Sequence, residues 1–309
     1  MTTPDMIGDP KNQPLVSVGI PTYNRPEGLR RTLECITGQT YKNLEIIVSD
    51  NCSRGPETEE VVREFMTIDS RIQYFRQDTN KGPSFNFQFV LEKAKGEYFM
   101  WAADDDQWEK DFIENCLQEI MFNDSNNFAF TNIDMIDTFS QVIRIIPSFK
   151  KFDKPINLIR IVNFLLDHEY FGKANLFYCL GRKKIFLIAF QWMKNITEIE
   201  NIPIDVCFVF FIISRYNIKI HPKICFHKGY TNDYDRIGKP TILSNNYPLV
   251  SNQPFNFYKN YTIILMKATE NYSIKFIIVV CMTLRCVLEY GLTQINYIKN
   301  RFVKRIFFF

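Results

Sequence analysis

The stretch GEYFMWAADDDQW, residues 96–108, decides how this chain is read. Tyr98, Phe99, Met100, Trp101 and Ala102 form a short aromatic and apolar run, the composition of a buried strand. Three adjacent carboxylates follow: Asp104, Asp105 and Asp106. Like charges repel, and a carboxylate buried without a partner is costly. Acids at a strand's end suit a hard divalent cation such as Mg2+ or Mn2+. Such a cation needs few protein ligands when a substrate diphosphate supplies the others. Along an extended segment Asp104 and Asp106 face one side and Asp105 the other. One of that pair can hold a ribose hydroxyl while the other meets the metal. The competing reading is a solvated turn that caps a helix starting near Trp108, but one Asp suffices for a cap.

Working back from Gly96, apolar runs alternate with amphipathic ones. LVSVGI (15–20), LEIIVSD (44–50), RIQYFRQ (71–77) and EYFMWA (97–102) read as strands. The segment after Pro26, PETEEVVREFM (56–66), PSFNFQFVLEKAKG (83–96) and DQWEKDFIENCLQEIMF (106–122) read as helices. The order β-α-β-α-β-α-β-α predicts an α/β fold with a mostly parallel central sheet covered on both faces. In such sheets ligands collect outside the carboxyl ends of the strands. Thr22–Asn24, Asp50–Asn51 and Asp104–Asp106 should therefore converge on one crevice. No glycine-rich phosphate loop follows the first strand.

Further on the alternation weakens. Residues 127–137 read as a strand and turn, and 171–186 as a strand leading into a helix. PIDVCFVFFIISRYN (203–217) reads as a buried helix with Asp205 in its first turn. IKIHPKICFHKGY (218–230) reads as two short strands broken at Pro222.

Composition narrows the class. Of 309 residues, 46% are hydrophobic and 23% charged, which is ordinary globular material. A net charge of +3 is too small for a dedicated nucleic-acid binder. The eight cysteines include no CxxC pair and no zinc-finger spacing, so they read as buried free thiols. The polar N-terminus lacks the apolar core of a signal peptide, and no apolar run reaches membrane-spanning length.

PTYNR after the first strand, VSDNCS after the second, then NKGPSFNFQFVLEKAKGEY and WAADDDQW resemble the bacterial family-2 glycosyltransferases of the GT-A fold. The likeness runs from about residue 15 to 122 and more weakly to about 230. It implies a Rossmann-like three-layer fold and an inverting enzyme that uses a nucleotide-sugar donor and Mn2+ or Mg2+. It places Pro21, Thr22 and Tyr23 in the first nucleotide-binding loop, and Asp50 at the base. Asn80, Gly82 and Asn86 would frame the ribose. Asp104 and Asp106 take the outer positions of the DxD motif, Asp106 as metal ligand and Asp104 on the ribose or in the metal shell. Asp205 matches the general base, with Glu198 and Glu200 as alternatives; Ile204 stands where the family more often has a second acid. His227 is a further candidate for the metal or diphosphate, and Lys228 could help neutralise the diphosphate. The expected acceptor is a hydroxyl of a surface polysaccharide or lipid-linked glycan. A metal-dependent nucleotidyltransferase and an inactive nucleotide-sugar-binding relative are the alternatives.

The expected organisation is a loose tail (1–14), a catalytic domain (15–235, with a nucleotide half to about 122 and an acceptor half from 123) and a helical C-terminal extension (236–309). Residues 273–309 hold six bases and one acid, interleaved with aromatic and aliphatic residues. The segment 274–290 suits either a closing helix packed on the domain or a membrane contact. YIKNRFVKRIFFF (297–309) suits an anionic membrane surface. The expected location is cytoplasmic, peripheral on the inner face of the cell membrane.

Overall fold

The computed structural model describes residues 13–122, 126–137, 139–167, 172–194, 204–229, 262–263, 265–267 and 269–288. The N-terminal part of the domain follows the expected order: β1 (Val16–Thr22), α1 (Pro26–Thr37), β2 (Leu44–Asp50), α2 (Glu57–Ile68), β3 (Ile72–Arg76), α3 (Pro83–Lys93) and β4 (Tyr98–Trp101). Both β1 and β2 are buried along their whole length, which is why they read as nearly continuous apolar runs. Pro26 and Pro83 open α1 and α3, where a missing N–H costs nothing. β1, β2, β3 and β4 pair in parallel, and α1, α2 and α3 supply the crossovers that parallel strands require.

β5 (Gln107–Trp108), α4 (Phe112–Met121), β6 (Asn126–Ile136), β7 (Val142–Ile145), α5 (Asn157–Leu166), β8 (Leu180–Arg182), α6 (Lys183–Lys194), α7 (Ile204–Arg215) and β9 (Asn217–Gly229) follow. The sheet order is β3-β2-β1-β4-β8-β6-β9-β5, with β7 on β6. The pairings set β1, β2, β3, β4, β6 and β9 in one direction and β5, β7 and β8 against them. The sheet is thus mostly parallel, as expected.

Two local readings need correction. Gln107 and Trp108 do not start a helix; they pair with His227 and Phe226 of β9, and Trp108 lies edge-on to Phe226 at 5.4 Å. The helix begins only at Phe112. Residues 217–229 form one strand, not two. Its register against β6 jumps from His221 to Ile224, so Pro222, which has no N–H to give, sits in a bulge. Asn132 Nδ2 donates to the Pro222 carbonyl at 2.8 Å and closes that bulge.

The abundant phenylalanines join the two halves. Trp101 of β4 stacks on Phe177 at 4.4 Å and meets Phe99, Phe186 and Phe208 edge-on at 5.2–5.3 Å. Such pairs add about 0.5–1.5 kcal/mol each beyond the area they bury. All eight cysteines are free, as their spacing suggests. Part of the C-terminal extension packs on this body. Along helical residues 272–288, Ile278, Cys281, Met282 and Arg285 are buried, and Arg285 Nη1 donates to the Leu165 carbonyl of α5 at 3.3 Å.

Candidate active site at the strand ends

The registers bring the polar strand ends together. Thr22 lies beside Asp50 and Gly19 beside Trp101, so β1, β2 and β4 open onto one crevice. Hydrogen bonds knit it. Asn51 N donates to the Thr22 carbonyl at 3.0 Å, and Asn51 Nδ2 donates to Asn80 Oδ1 at 2.9 Å and to the Gly82 carbonyl at 3.1 Å. Gly82 has φ 82°, a conformation that glycine adopts without strain. Asn86, in the first turn of α3, donates through Nδ2 to the Ser49 and Thr22 carbonyls at 2.9 and 3.3 Å. Those two acceptors fix the amide's orientation. They leave Asn86 Oδ1 buried without a partner, an acceptor suited to a ligand hydroxyl.

The Asp50 side chain has no exposed surface. Its Oδ1 accepts from Ser53 N at 2.8 Å and its Oδ2 from the Tyr74 hydroxyl at 3.1 Å. Burial, then the Asp50 charge, pushes the Tyr74 hydroxyl well above its ordinary pKa, so it stays a donor. Pro21 is buried and Tyr23 half-buried beside it.

The acidic segment is gripped from both sides. Thr32 of α1 donates to the Ala103 and Asp106 carbonyls at 2.9 and 3.3 Å. A β-carbon on Gly28, one turn earlier, would stand 2.0 Å from the Asp104 carbonyl oxygen. One on Gly229, at the end of β9, would stand 2.0 Å from that of Asp105.

The carboxylates themselves are met by protein cations. Arg25 Nη1 lies 3.0 Å from Asp104 Oδ1 and 2.9 Å from Asp105 Oδ2. Thr22 Oγ1 donates to Asp104 Oδ2 at 2.8 Å. Lys228 Nζ lies 2.8 and 3.0 Å from the two oxygens of Asp106, and Gly229 N donates to Asp106 Oδ1 at 3.0 Å. Burial pushes the Asp106 carboxyl up to about 7, against the pull of Lys228. Burial also raises Asp104 against Arg25. For Asp105, burial loses to Lys228 and Arg25, and its pKa falls below the usual carboxylate value. Burial works against the Lys228 ammonium too, but Asp105 and Asp106 outweigh it and hold the charge on.

The donor set suits a hard cation. Asp106 and Asp104 offer carboxylate oxygens, and an ammonium already stands against Asp106. Among the described residues no group of three or more His, Cys, Asp or Glu side chains is arranged as a metal nest. A cation here would rest on one or two carboxylates and draw its other ligands from a diphosphate.

His227 does not face that group. Its Nδ1 is 2.6 Å from Asp134 Oδ1 and its Nε2 is 3.2 Å from Glu109 Oε1. Strand alternation turns the next residue, Lys228, toward Asp106 instead. Asp205 opens α7, with Oδ1 accepting from Val206 N at 2.8 Å. Burial raises the pKa of Tyr178 against the pull of Lys228, with Asp106, Asp105 and Asp205 adding to the rise. Its ring lies 5.8 Å from Lys228 Nζ. Glu198 and Glu200 lie outside the described residues.

Sequence reasoning missed Arg25, Gly28, Thr32, Tyr178 and Gly229. Arg25 stood in view in PTYNR, next to Pro26. The other four carry no local signal, because their partners are far away in sequence.

The family model for Glycosyl transferase family 2 matches residues 17–172. Two bacterial relatives are similar over part of the chain. TuaG of Bacillus subtilis (strain 168), named for teichuronic acid biosynthesis, is 32% identical over 124 residues, 40% of this chain and 48% of TuaG. The GalNAc(5)-diNAcBac-PP-undecaprenol beta-1,3-glucosyltransferase of Campylobacter jejuni (subsp. jejuni serotype O:2, strain ATCC 700819 / NCTC 11168) is 30% identical over 193 residues, 57% of this chain and 62% of that protein. The matched regions thus span about half to three fifths of these relatives' own lengths. Among solved structures, residues 1–349 of S. aureus TarS with UDP-GlcNAc share the fold, with a TM-score of 0.58 at 17% identity over 87% of this chain and 71% of that one.

Proposed function

The chain belongs to glycosyl transferase family 2, and we propose that it moves one sugar from a nucleoside diphosphate donor to a hydroxyl of a surface polysaccharide or lipid-linked glycan, with inversion at the anomeric carbon. One observation carries the reading: a continuous hydrogen-bonded network joins Asp104, Thr22, Asn86 and Ser49 across the ends of β1, β2 and β4, and it leaves the buried Asn86 Oδ1 unpaired. Asp104 stands at one end of the network, and Asp50 follows Ser49 at the other. Asp50 takes the base, and Pro21, Thr22 and Tyr23 flank it. Asn80, Gly82 and Asn86 frame the ribose. Asp106 holds the cation, and Asp104 holds the ribose or completes the cation's shell. UDP-GlcNAc in TarS and an undecaprenol-linked glycan in the Campylobacter relative's name support this choice of donor and acceptor class.

A bound Mn2+ or Mg2+ would supply Lewis-acid stabilisation of the departing diphosphate. The chain's own groups do the rest. Asp205 takes the proton of the acceptor hydroxyl as its oxygen bonds to the anomeric carbon. The bond from that carbon to the diphosphate oxygen breaks, and the negative charge leaves on the diphosphate, within reach of Arg25 and Lys228. Asp205→Asn should lower kcat about 100- to 10,000-fold with donor affinity unchanged, because a general base acts in the transition state. If Glu200→Gln gives that signature and Asp205→Asn does not, the base is Glu200.

Incubation with a panel of nucleotide sugars and Mn2+, with product detection, tests the function itself. Sugar transfer supports it. Pyrophosphate release from a nucleoside triphosphate would make the chain a nucleotidyltransferase, and binding without turnover an inactive relative.

A peripheral contact with an anionic membrane at the cytoplasmic face completes the proposal. Among the described residues no helix is long and apolar enough to cross a membrane. Helical residues 272–288 are apolar on both sides, however. Opposite the packed face, Phe276, Val280, Leu284 and Val287 are 48–69% exposed at helical spacing. The basic and aromatic run 297–309 lies outside the described residues and would add about 1 kcal/mol per Lys or Arg at such a surface. Truncation after Asn296 should weaken binding to anionic vesicles. Equal binding by truncated and full-length chains would rule that anchor out.

A further inference from the structure

Lys228 stands on the oxygens that a cation at Asp106 would use. Its Nζ is 2.8 and 3.0 Å from Asp106 Oδ1 and Oδ2 and 3.7 Å from Asp105 Oδ1. Gly229 N takes a further position on Oδ1. Both oxygens of a carboxylate whose side chain has no exposed surface are therefore engaged. A divalent cation binds carboxylate oxygens at about 2.0–2.2 Å. An ammonium and a divalent cation on the same two oxygens would be close enough to repel strongly in a poorly solvated site.

The charge balance shows when the exchange becomes favourable. Three carboxylates face Arg25 and Lys228, so even with all three ionised the cluster carries a negative excess of only one charge. A free divalent cation would overcompensate it. A cation arriving with a diphosphate would not, because the diphosphate brings back as much negative charge as the cation adds. Lys228 also has somewhere to go. Its side chain is 27% exposed, it sits on a flexible four-carbon stem, and its Nζ already lies over the Tyr178 ring, 5.8 Å from the centroid.

Resting on the donor-site reading above, we propose that Lys228 is the site's own counter-cation. It holds Asp106 in the donor-free protein, yields that seat to the cation when the nucleoside diphosphate arrives, and then pairs with the diphosphate. The exchange couples cation and donor: each binds better when the other is present. It also keeps the three acids compensated while the crevice is empty. Lys228 is thereby a ligand of the diphosphate and not of the metal.

The test is direct titration of Mn2+ alone into the full chain, into Lys228→Met and into Lys228→Arg, with bound Mn2+ read by electron paramagnetic resonance. Circular dichroism and melting temperature check the fold. Lys228→Met should bind Mn2+ about tenfold or more tightly than the wild type, since the competitor is gone. Lys228→Arg keeps the charge and should stay near wild type. Equal or weaker Mn2+ binding by a folded Lys228→Met overturns the exchange. So does an equal gain by Lys228→Arg, which would indicate loosened packing. Should the methionine variant not fold, Lys228→Gln takes its place under the same criteria. If the wild type binds Mn2+ and Lys228→Met binds it equally, only the exchange fails. If neither binds Mn2+, with or without UDP as nucleotide probe, the metal reading of the donor site fails as well.

Discussion

Gly28→Ala should cost about a hundredfold or more in kcat/KM, the effect of moving reacting groups by about 1 Å. On helix propensity alone the substitution ought to help, since alanine is favoured over glycine inside a helix by about 0.8–1.0 kcal/mol. Gly28 lies in the first turns of α1 and is buried. Its added methyl would stand 2.0 Å from the Asp104 carbonyl oxygen and 3.2 Å from the carbonyl carbon. Both are backbone atoms, so no side chain can swing aside. Either α1 or the acidic segment must move, and the two are tied together: Arg25 leads into the helix and bonds to Asp104, and Thr32 bonds to the segment's carbonyls. Overpacking of this kind costs about 1–3 kcal/mol, which cancels or exceeds the propensity gain. The check is a denaturation curve beside a transfer assay. A Gly28→Ala variant that is stabilised, as at an ordinary helix position, and keeps full activity would show that this close approach does not set the site.

How much of this was legible in the sequence depended on how local each cause was. β2 runs from Leu44 to Asp50, as its apolar pattern and terminal acid indicate. The helix starts at Pro26 and Pro83 follow from proline's own geometry. The convergence of Thr22, Asp50 and Asp104–Asp106 follows from parallel topology, because parallel strands all end on the same side. What escaped has distant partners. Gln107 and Trp108 look like the approach to a helix until Phe226 and His227 pair with them from the far end of the domain. Pro222 looks like a break until β6 supplies a bulge around it. The acids of AADDDQW announce a charge problem. Their partners are Arg25, about 80 positions earlier, and Lys228, about 120 later. Of the late pair, sequence made His227 a candidate for the metal or diphosphate and Lys228 one for the diphosphate. Strand alternation, set by the pairing of β9 with β6 and β5, turns the lysine to Asp106.

In the proposed reaction the acidic segment stabilises a departing nucleoside diphosphate, and Asp106 is the residue that matters most to it. Its side chain is fully buried, its oxygens face Lys228 Nζ, and its carbonyl is pinned by Thr32. Asparagine has the same shape and can keep contacts to Gly229 N and Lys228 through its one remaining oxygen, so the fold should survive. It cannot supply the charge that a cation on the diphosphate needs. Losing one preorganised electrostatic partner of this kind costs about 100- to 1,000-fold in kcat, and here the cation would be weakened along with it. The most direct measurement is therefore the rate of sugar transfer from a nucleotide-sugar donor with Mn2+, for the wild type and for Asp106→Asn at matched folded fraction. The expected result is metal-dependent transfer by the wild type and near-complete loss in the variant. Normal metal-dependent transfer by a folded Asp106→Asn chain would contradict the assignment of this crevice as the donor site.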